Sequence, residues 1–194
     1  MKTLEDAWAW YQSTKKGANR LAHLSKYWQL IPWDSDEPWV RGIRNDNALQ
    51  HVEADEMAGD AGQTENGVDD LAVLLLFSVF EANVRNVVAS QIRPELALLQ
   101  HIILKQAGDD VLQSITEGSF YRVLEPFKTH VDNGLIEQVN QVRRYRNWVA
   151  HGRQPLREGE QLPEVQPKDA YQRLSAFLDL INSPIQIAIP TGSN

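Results

Sequence analysis

The sequence predicts an all-α protein, and three observations support that fold class. Apolar residues recur about every 3.6 residues through most of the 194-residue chain. No stretch alternates apolar and polar residues over several positions, as a half-buried strand does. Helix-capping residues and prolines bound the periodic segments. We therefore expect a bundle of four to six helices with an antiparallel core and an acidic insertion after the first helix.

The first helix is predicted within residues 1–33. Thr3 and Asp6 have the spacing of an acidic capping box, in which each side chain accepts a hydrogen bond from the other's backbone N–H. The helix should be interrupted at Gly17, and Pro32 should end it.

Residues 34–67 are predicted to be an insertion with at most a short helix around residues 49–57. Between residues 34 and 70 there are eleven acidic residues and two arginines, a net charge of −9. Because the whole chain carries −7, the remainder carries +2. The overall negative charge therefore does not exclude a nucleic-acid partner.

Residues 68–182 are predicted to form the core bundle. Asp69 or Asp70 should cap a helix that ends at Pro94, and a shorter helix should follow and close at Gly108. Segments around residues 110–116 and 120–131 come next. Asp132 should start a helix that runs to Gly152, and Asp169 should lead the last helix.

Length and composition indicate a single domain, residues 1–194, with a flexible tail at residues 183–194. The absence of cysteine excludes thiol catalysis, disulfides and cysteine-based zinc sites. The longest apolar run, residues 71–80, is too short to span a bilayer, and the first residues do not resemble a signal peptide. We expect a cytoplasmic protein.

Two opposite charges lie within predicted apolar helix faces. Arg146 shares an arc with Val139 and Val142, and Glu81 lies inside the apolar arc of an earlier helix. A buried guanidinium needs a partner. Glu81 and Arg146 either form an ion pair that only fixes helix register, or Glu81 holds Arg146 in position to meet a phosphate.

Arg144, Asn147 and His151 share a second, polar face of the same predicted helix. His151 is either a capping or solvated histidine, or an acid–base group. Arg146 and His151 lie about 140° apart on an ideal helix. Their cooperation requires that the helix unwinds before Gly152, that the arginine side chain wraps round, or that the two groups meet between subunits.

The segment Arg-Asn-Trp-Val-Ala-His-Gly at residues 146–152 resembles the R-x(4-6)-H signature of the HEPN superfamily, whose name abbreviates higher eukaryotes and prokaryotes nucleotide-binding. An upstream helix with Phe80-Glu81-Ala82 and a downstream helix over residues 169–178 support the resemblance. It covers residues 70–182, whereas the N-terminal part matches only as a generic helix with an insertion.

The resemblance implies a small helical bundle that forms a homodimer and cleaves RNA without a metal or other cofactor. His151 would act on the ribose 2′-hydroxyl or the leaving 5′-oxygen, Arg146 would stabilise charge on the phosphate, and Asn147 would orient either group. Glu81 and Arg144 would support the site. Arg153 and Trp148 would contact the backbone and a base. Such enzymes are often toxins or defence effectors, with an antitoxin or another protein as partner.

Other interpretations stay open. The chain could be a non-catalytic HEPN-like scaffold subunit that acts through protein partners, or an unrelated bundle with a coincidental motif. His51, Glu53 and Asp55 carry donors that a hard metal ion accepts, although their spacing is neither helical nor a known ligand pattern and an acid-rich connection is usually solvated. Tryptophans crowd the N-terminal part, where core packing is favoured over base stacking.

Overall fold

The computed structural model describes residues 1–129, 131–155, 161 and 164–182, and this part of the chain is helical without a strand. The all-α prediction is confirmed, with seven α-helices and one 3₁₀ turn among the described residues rather than four to six helices. The predicted tail at residues 183–194 lies outside the described residues. The elements are α1 (Leu4–Trp28), α2 (Pro38–Arg44), α3 (Ala54–Ala97), α4 (Ile102–Glu117), α5 (Phe120–Leu124), the 3₁₀ turn (Glu125–Thr129), α6 (Asn133–Ala150) and α7 (Pro167–Asn182).

The chain divides into two compact units. The first unit consists of Met1–Ala7 and Val73–Asn194, and the second unit is Trp8–Ala72. Helices α1 and α3 contribute residues to both units.

The second unit has two small cores. Tyr11, Val68 and Ala72 form one, and Trp28, Ala54 and Met57 form the other. Partly buried Trp8, Trp10 and Trp33 pack against these cores, in agreement with a packing role for the N-terminal tryptophans, whereas Trp39 is exposed.

The predicted capping box at the start of α1 is confirmed. The Asp6 backbone N–H donates to the Thr3 hydroxyl at 3.1 Å, and the Thr3 N–H donates to the Asp6 carboxylate at 3.3 Å. The expected interruption at Gly17 is wrong, because α1 is continuous to Trp28. A single glycine costs about 1 kcal/mol in a helix, which is too little to break one this long.

Helix α3 corrects two predicted boundaries. It begins at Ala54 rather than at Asp69 or Asp70, so the second half of the predicted insertion is helical. It also continues through Pro94 to Ala97. Proline at this position removes one helical hydrogen bond, to the carbonyl of exposed Ser90, and only the last turn follows it.

The predicted helix end at Gly108 is also wrong, because α4 runs from Ile102 to Glu117 with Gly108 buried inside it. A Cβ added at Gly108 would lie 2.6 Å from Cδ2 of Leu96 on α3. Gly108 therefore permits close packing of two helices and does not terminate one.

Phenylalanine side chains dominate the core of the first unit. The Phe80 ring makes edge contacts with the Phe120 ring at 5.7 Å and the Phe177 ring at 5.6 Å between centroids. Phe77 contacts Phe120 in the same way at 5.6 Å. Fully buried Val139 of α6 belongs to this core, which fixes the inner face of α6.

Both ends of α6 follow local sequence signals. The Asp132 carboxylate accepts a hydrogen bond from the Leu135 backbone N–H at 3.0 Å, as an N-cap residue does. At the other end the Gly152 N–H donates to the Val149 carbonyl at 3.0 Å, and the Arg153 N–H donates to the Trp148 carbonyl at 2.9 Å. These two bonds define a Schellman motif.

The φ of +75° at Gly152 is the left-handed conformation that this motif requires. His151 is consequently the C-cap residue of α6. The last helix, α7, begins at Pro167, two residues before the predicted leader Asp169.

Among the described helices, α3 has the length and composition of a membrane span. Its most apolar window has a mean hydropathy of 1.6, and 39% of that window is buried. Core residues of α3 such as Leu76 and Phe80 account for much of this apolar character. A single helix of this kind is weak evidence for membrane insertion.

Candidate functional site

A cleft of about 330 Å³ opens in the first unit between α3, the α4–α5 connection and α6. Three arginines and two glutamates line it, so its charged side chains are predominantly cationic. Of the predicted site residues, the cleft brings together Glu81, Arg146 and Asn147. The lining residues are Phe77, Glu81, Arg85, Glu117, Gly118, Ser119, Phe120, Tyr121, Arg143, Arg146 and Asn147.

Arg146 reaches the cleft from the inner side of α6, and its side chain is only 31% exposed. Its guanidinium lies over the Phe77 ring, 5.6 Å from the centroid, and Nη1 donates to Oδ1 of Asn147 at 3.0 Å. Its Nε is buried and has no hydrogen-bond partner within the described part of the chain. An unpaired buried donor on a permanent cation is costly, and an anion that pairs with the exposed part of the same side chain would offset this cost.

The predicted contact between Glu81 and Arg146 is present but long. Oε2 of Glu81 lies 4.0 Å from Nη2 of Arg146, whereas Oε1 accepts hydrogen bonds from Arg85 Nη2 at 2.6 Å and Nε at 3.1 Å. The main partner of Glu81 is therefore Arg85, one helical turn further along α3. Sequence reasoning missed Arg85, although a glutamate four residues before an arginine is a known helix-pairing signal.

Arg143 is a second cleft cation that the predicted site did not include. Its Nε donates to Oδ1 of Asn140 at 3.2 Å, and its guanidinium lies 5.4 Å from the centre of the Tyr121 ring. Its two terminal nitrogens have no hydrogen-bond partner among the residues described. Arg143 and Arg146 thus both keep donor capacity at the cleft.

His151 is exposed and is not among the described residues that line the cleft. Helix α6 does not unwind ahead of it, because the His151 N–H still donates to the Asn147 carbonyl at 3.0 Å. The Arg146 side chain does not wrap towards His151 either, since it packs on Phe77 and Asn147. Two of the three proposed ways to join Arg146 and His151 are therefore wrong, and pairing between subunits stays a prediction.

The remaining predicted residues also lie outside the cleft lining. Arg144 is 46% exposed and pairs with Glu137 at 2.5 Å. The Trp148 indole N–H donates to the Gln154 carbonyl at 2.9 Å. The Arg153 guanidinium lies 5.4 Å from the Trp148 ring centre, and this pair closes the end of α6.

Within the described ranges, no three histidine, aspartate or glutamate side chains come together as metal ligands would. His51, Glu53 and Asp55 are among those described residues and do not form such a group.

Comparisons of the chain with models of protein families, with curated proteins and with solved structures find no match.

Proposed function

We propose that the protein is a metal-independent endoribonuclease of the HEPN type that cuts RNA through the 2′-hydroxyl. The observation that carries this proposal is the partly exposed Arg146 side chain at the cleft, whose Nε has no hydrogen-bond partner among the described residues. A phosphate, like a carboxylate, presents oxygen pairs that match the donors of a planar guanidinium. An RNA phosphate in the cleft would bind Arg146 and the free end of Arg143.

The proposed chemistry needs a proton acceptor and a stabiliser of negative charge. His151 acts as the general base on the 2′-hydroxyl, or as the general acid on the leaving 5′-oxygen. The 2′-oxygen attacks phosphorus, the bond to the 5′-oxygen breaks, and a 2′,3′-cyclic phosphate remains. Water makes the complementary proton transfer: it protonates the 5′-oxygen when His151 is the base and accepts the 2′-hydroxyl proton when His151 is the acid. Arg146 stabilises the charge on the phosphate oxygens, and Asn147 keeps its guanidinium in place through the 3.0 Å hydrogen bond.

In a homodimer, His151 of one copy could approach the phosphate that Arg146 of the other copy binds. His151 lies at the exposed end of α6, whereas Arg146 belongs to its inner side. A two-fold axis near the end of α6 would bring His151 of one copy to the phosphate held by the other copy. In the cell such an enzyme would be a cytoplasmic toxin or defence effector, with an antitoxin as a possible second partner.

Two observations favour a second candidate function, a non-catalytic HEPN-like scaffold subunit. His151 is absent from the described lining of the cleft, and Glu81 is already bound by Arg85. In that case the acidic segment at residues 34–70 would recruit a protein partner, and the cleft would bind an anion without chemistry.

Cleavage of end-labelled RNA in excess EDTA tests the enzyme proposal. We expect products with cyclic-phosphate ends, and a rate lowered about 10²- to 10⁴-fold in His151→Ala, the usual contribution of a general acid or base. Arg93→Ala is a matched control, because Arg93 is an exposed arginine of α3 away from the cleft. If folded His151→Ala still cleaves RNA at the parent rate, the mechanism is contradicted. If the parent protein cleaves none of a varied set of RNAs, the scaffold function is favoured.

Subunit complementation tests the composite site. Arg146→Ala and His151→Ala chains, each inactive alone, should regain part of the activity when unfolded and refolded together. Mixed dimers then contain one site with both functional residues. A mixture that stays inactive although mixed dimers form contradicts the two-subunit arrangement.

A further inference from the structure

We infer that Arg85 is a positioning residue, which binds Glu81 and thereby leaves Arg146 available to an oxyanion in the cleft. The inference rests on the proposed function for one point, that the oxyanion is an RNA phosphate. It assigns a role to a residue outside the Arg-Asn-x-x-x-His segment. It also changes the role of Glu81, whose charge must be neutralised before the cleft can take an anion.

Contacts hold Arg85 in one orientation. Its side chain is 14% exposed and makes two hydrogen bonds to Oε1 of Glu81. The other donors reach the carbonyl oxygens of Ile115 and of Gly118, the latter at 2.7 Å. The guanidinium also lies 5.5 Å from the centre of the Phe120 ring. Four of the five guanidinium N–H groups of Arg85 are therefore used by the protein, so its main role is to hold neighbouring groups in place.

The balance of charge explains why this matters for Arg146. Glu81 is the acidic side chain that pairs with Arg146, at 4.0 Å. A carboxylate without Arg85 would have Arg146 as its nearest cation, and a small rotation of either side chain would close that gap to a direct hydrogen bond. An incoming phosphate would then compete with Glu81 for the same guanidinium. With Arg85 in place, the short contacts of Glu81 are already made.

A double-variant cycle separates this role from a merely structural one. The ligand is a fluorescein-labelled 2′-O-methyl RNA, which binds as RNA does but lacks the attacking hydroxyl, and affinity for the full chain is measured by anisotropy. We expect Arg85→Gln to weaken binding about ten- to a hundredfold, the range of a lost charge-assisted hydrogen bond. Glu81→Gln alone should bind more tightly than the parent protein, by up to about tenfold, because the cleft loses a negative charge.

The Arg85→Gln/Glu81→Gln chain is the decisive one. Because it lacks the carboxylate that would capture Arg146, its affinity should return to within about threefold of the parent protein. A structural role for Arg85 gives no such rescue, since the carbonyls of Ile115 and Gly118 lose their donor in both variants. Arg93→Gln, an exposed charge change on the same helix, should match the parent protein apart from a small salt-dependent effect.

Several outcomes overturn the inference. The first is an RNA affinity of Arg85→Gln equal to that of the parent protein. The second is a folded double variant that binds RNA as weakly as Arg85→Gln. The third is an RNA affinity of Glu81→Gln that is tenfold or more below the parent value. Circular dichroism checks that Arg85→Gln is folded. If it is unfolded, the RNA affinities of Glu81→Gln and Arg85→Lys replace its measurement, and we expect Arg85→Lys to bind with near-parental affinity. A parent protein that does not bind the RNA also overturns it. A protein that binds but never cleaves refutes only the enzyme proposal.

Discussion

Replacing Asn147 by aspartate would put a carboxylate where an amide oxygen now accepts a hydrogen bond from Arg146. The Nη1 to Oδ1 distance is 3.0 Å, and both side chains line the cleft. The substitution keeps the shape of the side chain and adds one negative charge. The new carboxylate would bind Arg146 tightly and compete with a phosphate for it.

The expected effect follows from Coulomb's law between the added charge and the guanidinium. Two unit charges about 4 Å apart interact by about 1 kcal/mol in water and about 4 kcal/mol at an effective dielectric constant of 20. The Arg146 side chain is 31% exposed, which places the pair between these limits. RNA affinity should fall about five- to a thousandfold. Thermal stability should stay unchanged or rise, because the new pair is attractive in the folded protein.

Anisotropy with the same 2′-O-methyl RNA measures the affinity, and differential scanning calorimetry measures the stability. Gln138→Glu is the matched control, because it adds the same charge to an exposed position on α6. Parental affinity in Asn147→Asp, or an equal loss in Gln138→Glu, would refute the assignment of the cleft as the phosphate site. A lowered melting temperature would point to disrupted packing instead of charge competition.

The remaining predictions concern stability. Asp132→Ala removes the 3.0 Å cap to the Leu135 N–H, so urea unfolding should show a loss of about 1 kcal/mol, and no loss would contradict the capping role. Phe80→Ala removes a fully buried ring, and the same assay should show a loss of about 3–5 kcal/mol; a loss under 1 would mean that the core refills the space. Backbone hydrogen bonds from Lys2 and Thr3 lower the pKa of Asp6 from 3.8, so its stabilisation of α1 is present above pH 3.8 and lost as the pH falls through the lowered pKa. Protection factors of the amides in the first turn of α1, which are corrected for intrinsic exchange at each pH, should fall over that acidic range in the parent protein, and Asp6→Asn should remove this dependence.

The fold class and the positions of α1, α6 and α7 could be predicted from periodicity and caps, but α2 and the start of α3 could not. Residues 54–67 contain three glycines and several acids, which favour a loop by local propensity. The structure buries Met57, Ala61 and Val68 at helical spacing. That stripe is too small and too interrupted to be visible in the sequence, and tertiary packing outweighs the weak local preference.

For the site, helix geometry predicted the right faces but not all partners. Arg146 lies on the inner side of α6 and His151 on exposed surface, as the spacing of five residues required. The four-residue spacing of Glu81 and Arg85 could have indicated their ion pair, but the carbonyl acceptors of Arg85 at the far end of α4, on Ile115 and Gly118, could not be predicted. Contacts of that kind depend on how helices pack, and single-helix periodicity contains no information about them.

The Schellman motif at the end of α6 fixes the position of His151 relative to Arg146, because both residues belong to one helix whose last residue is set by the motif. Since the histidine is the capping residue, its imidazole leaves the helix at the point that Gly152 fixes. One residue inserted between Arg146 and His151 would turn the histidine by about 100° and advance it by about 1.5 Å relative to the arginine. If Gly152 moved by the same one residue, the helix cap would form again, but the imidazole would still point in a different direction relative to the arginine. Insertions placed before Arg146 or after Arg153 preserve that relation, so only they leave both groups of the proposed site in register.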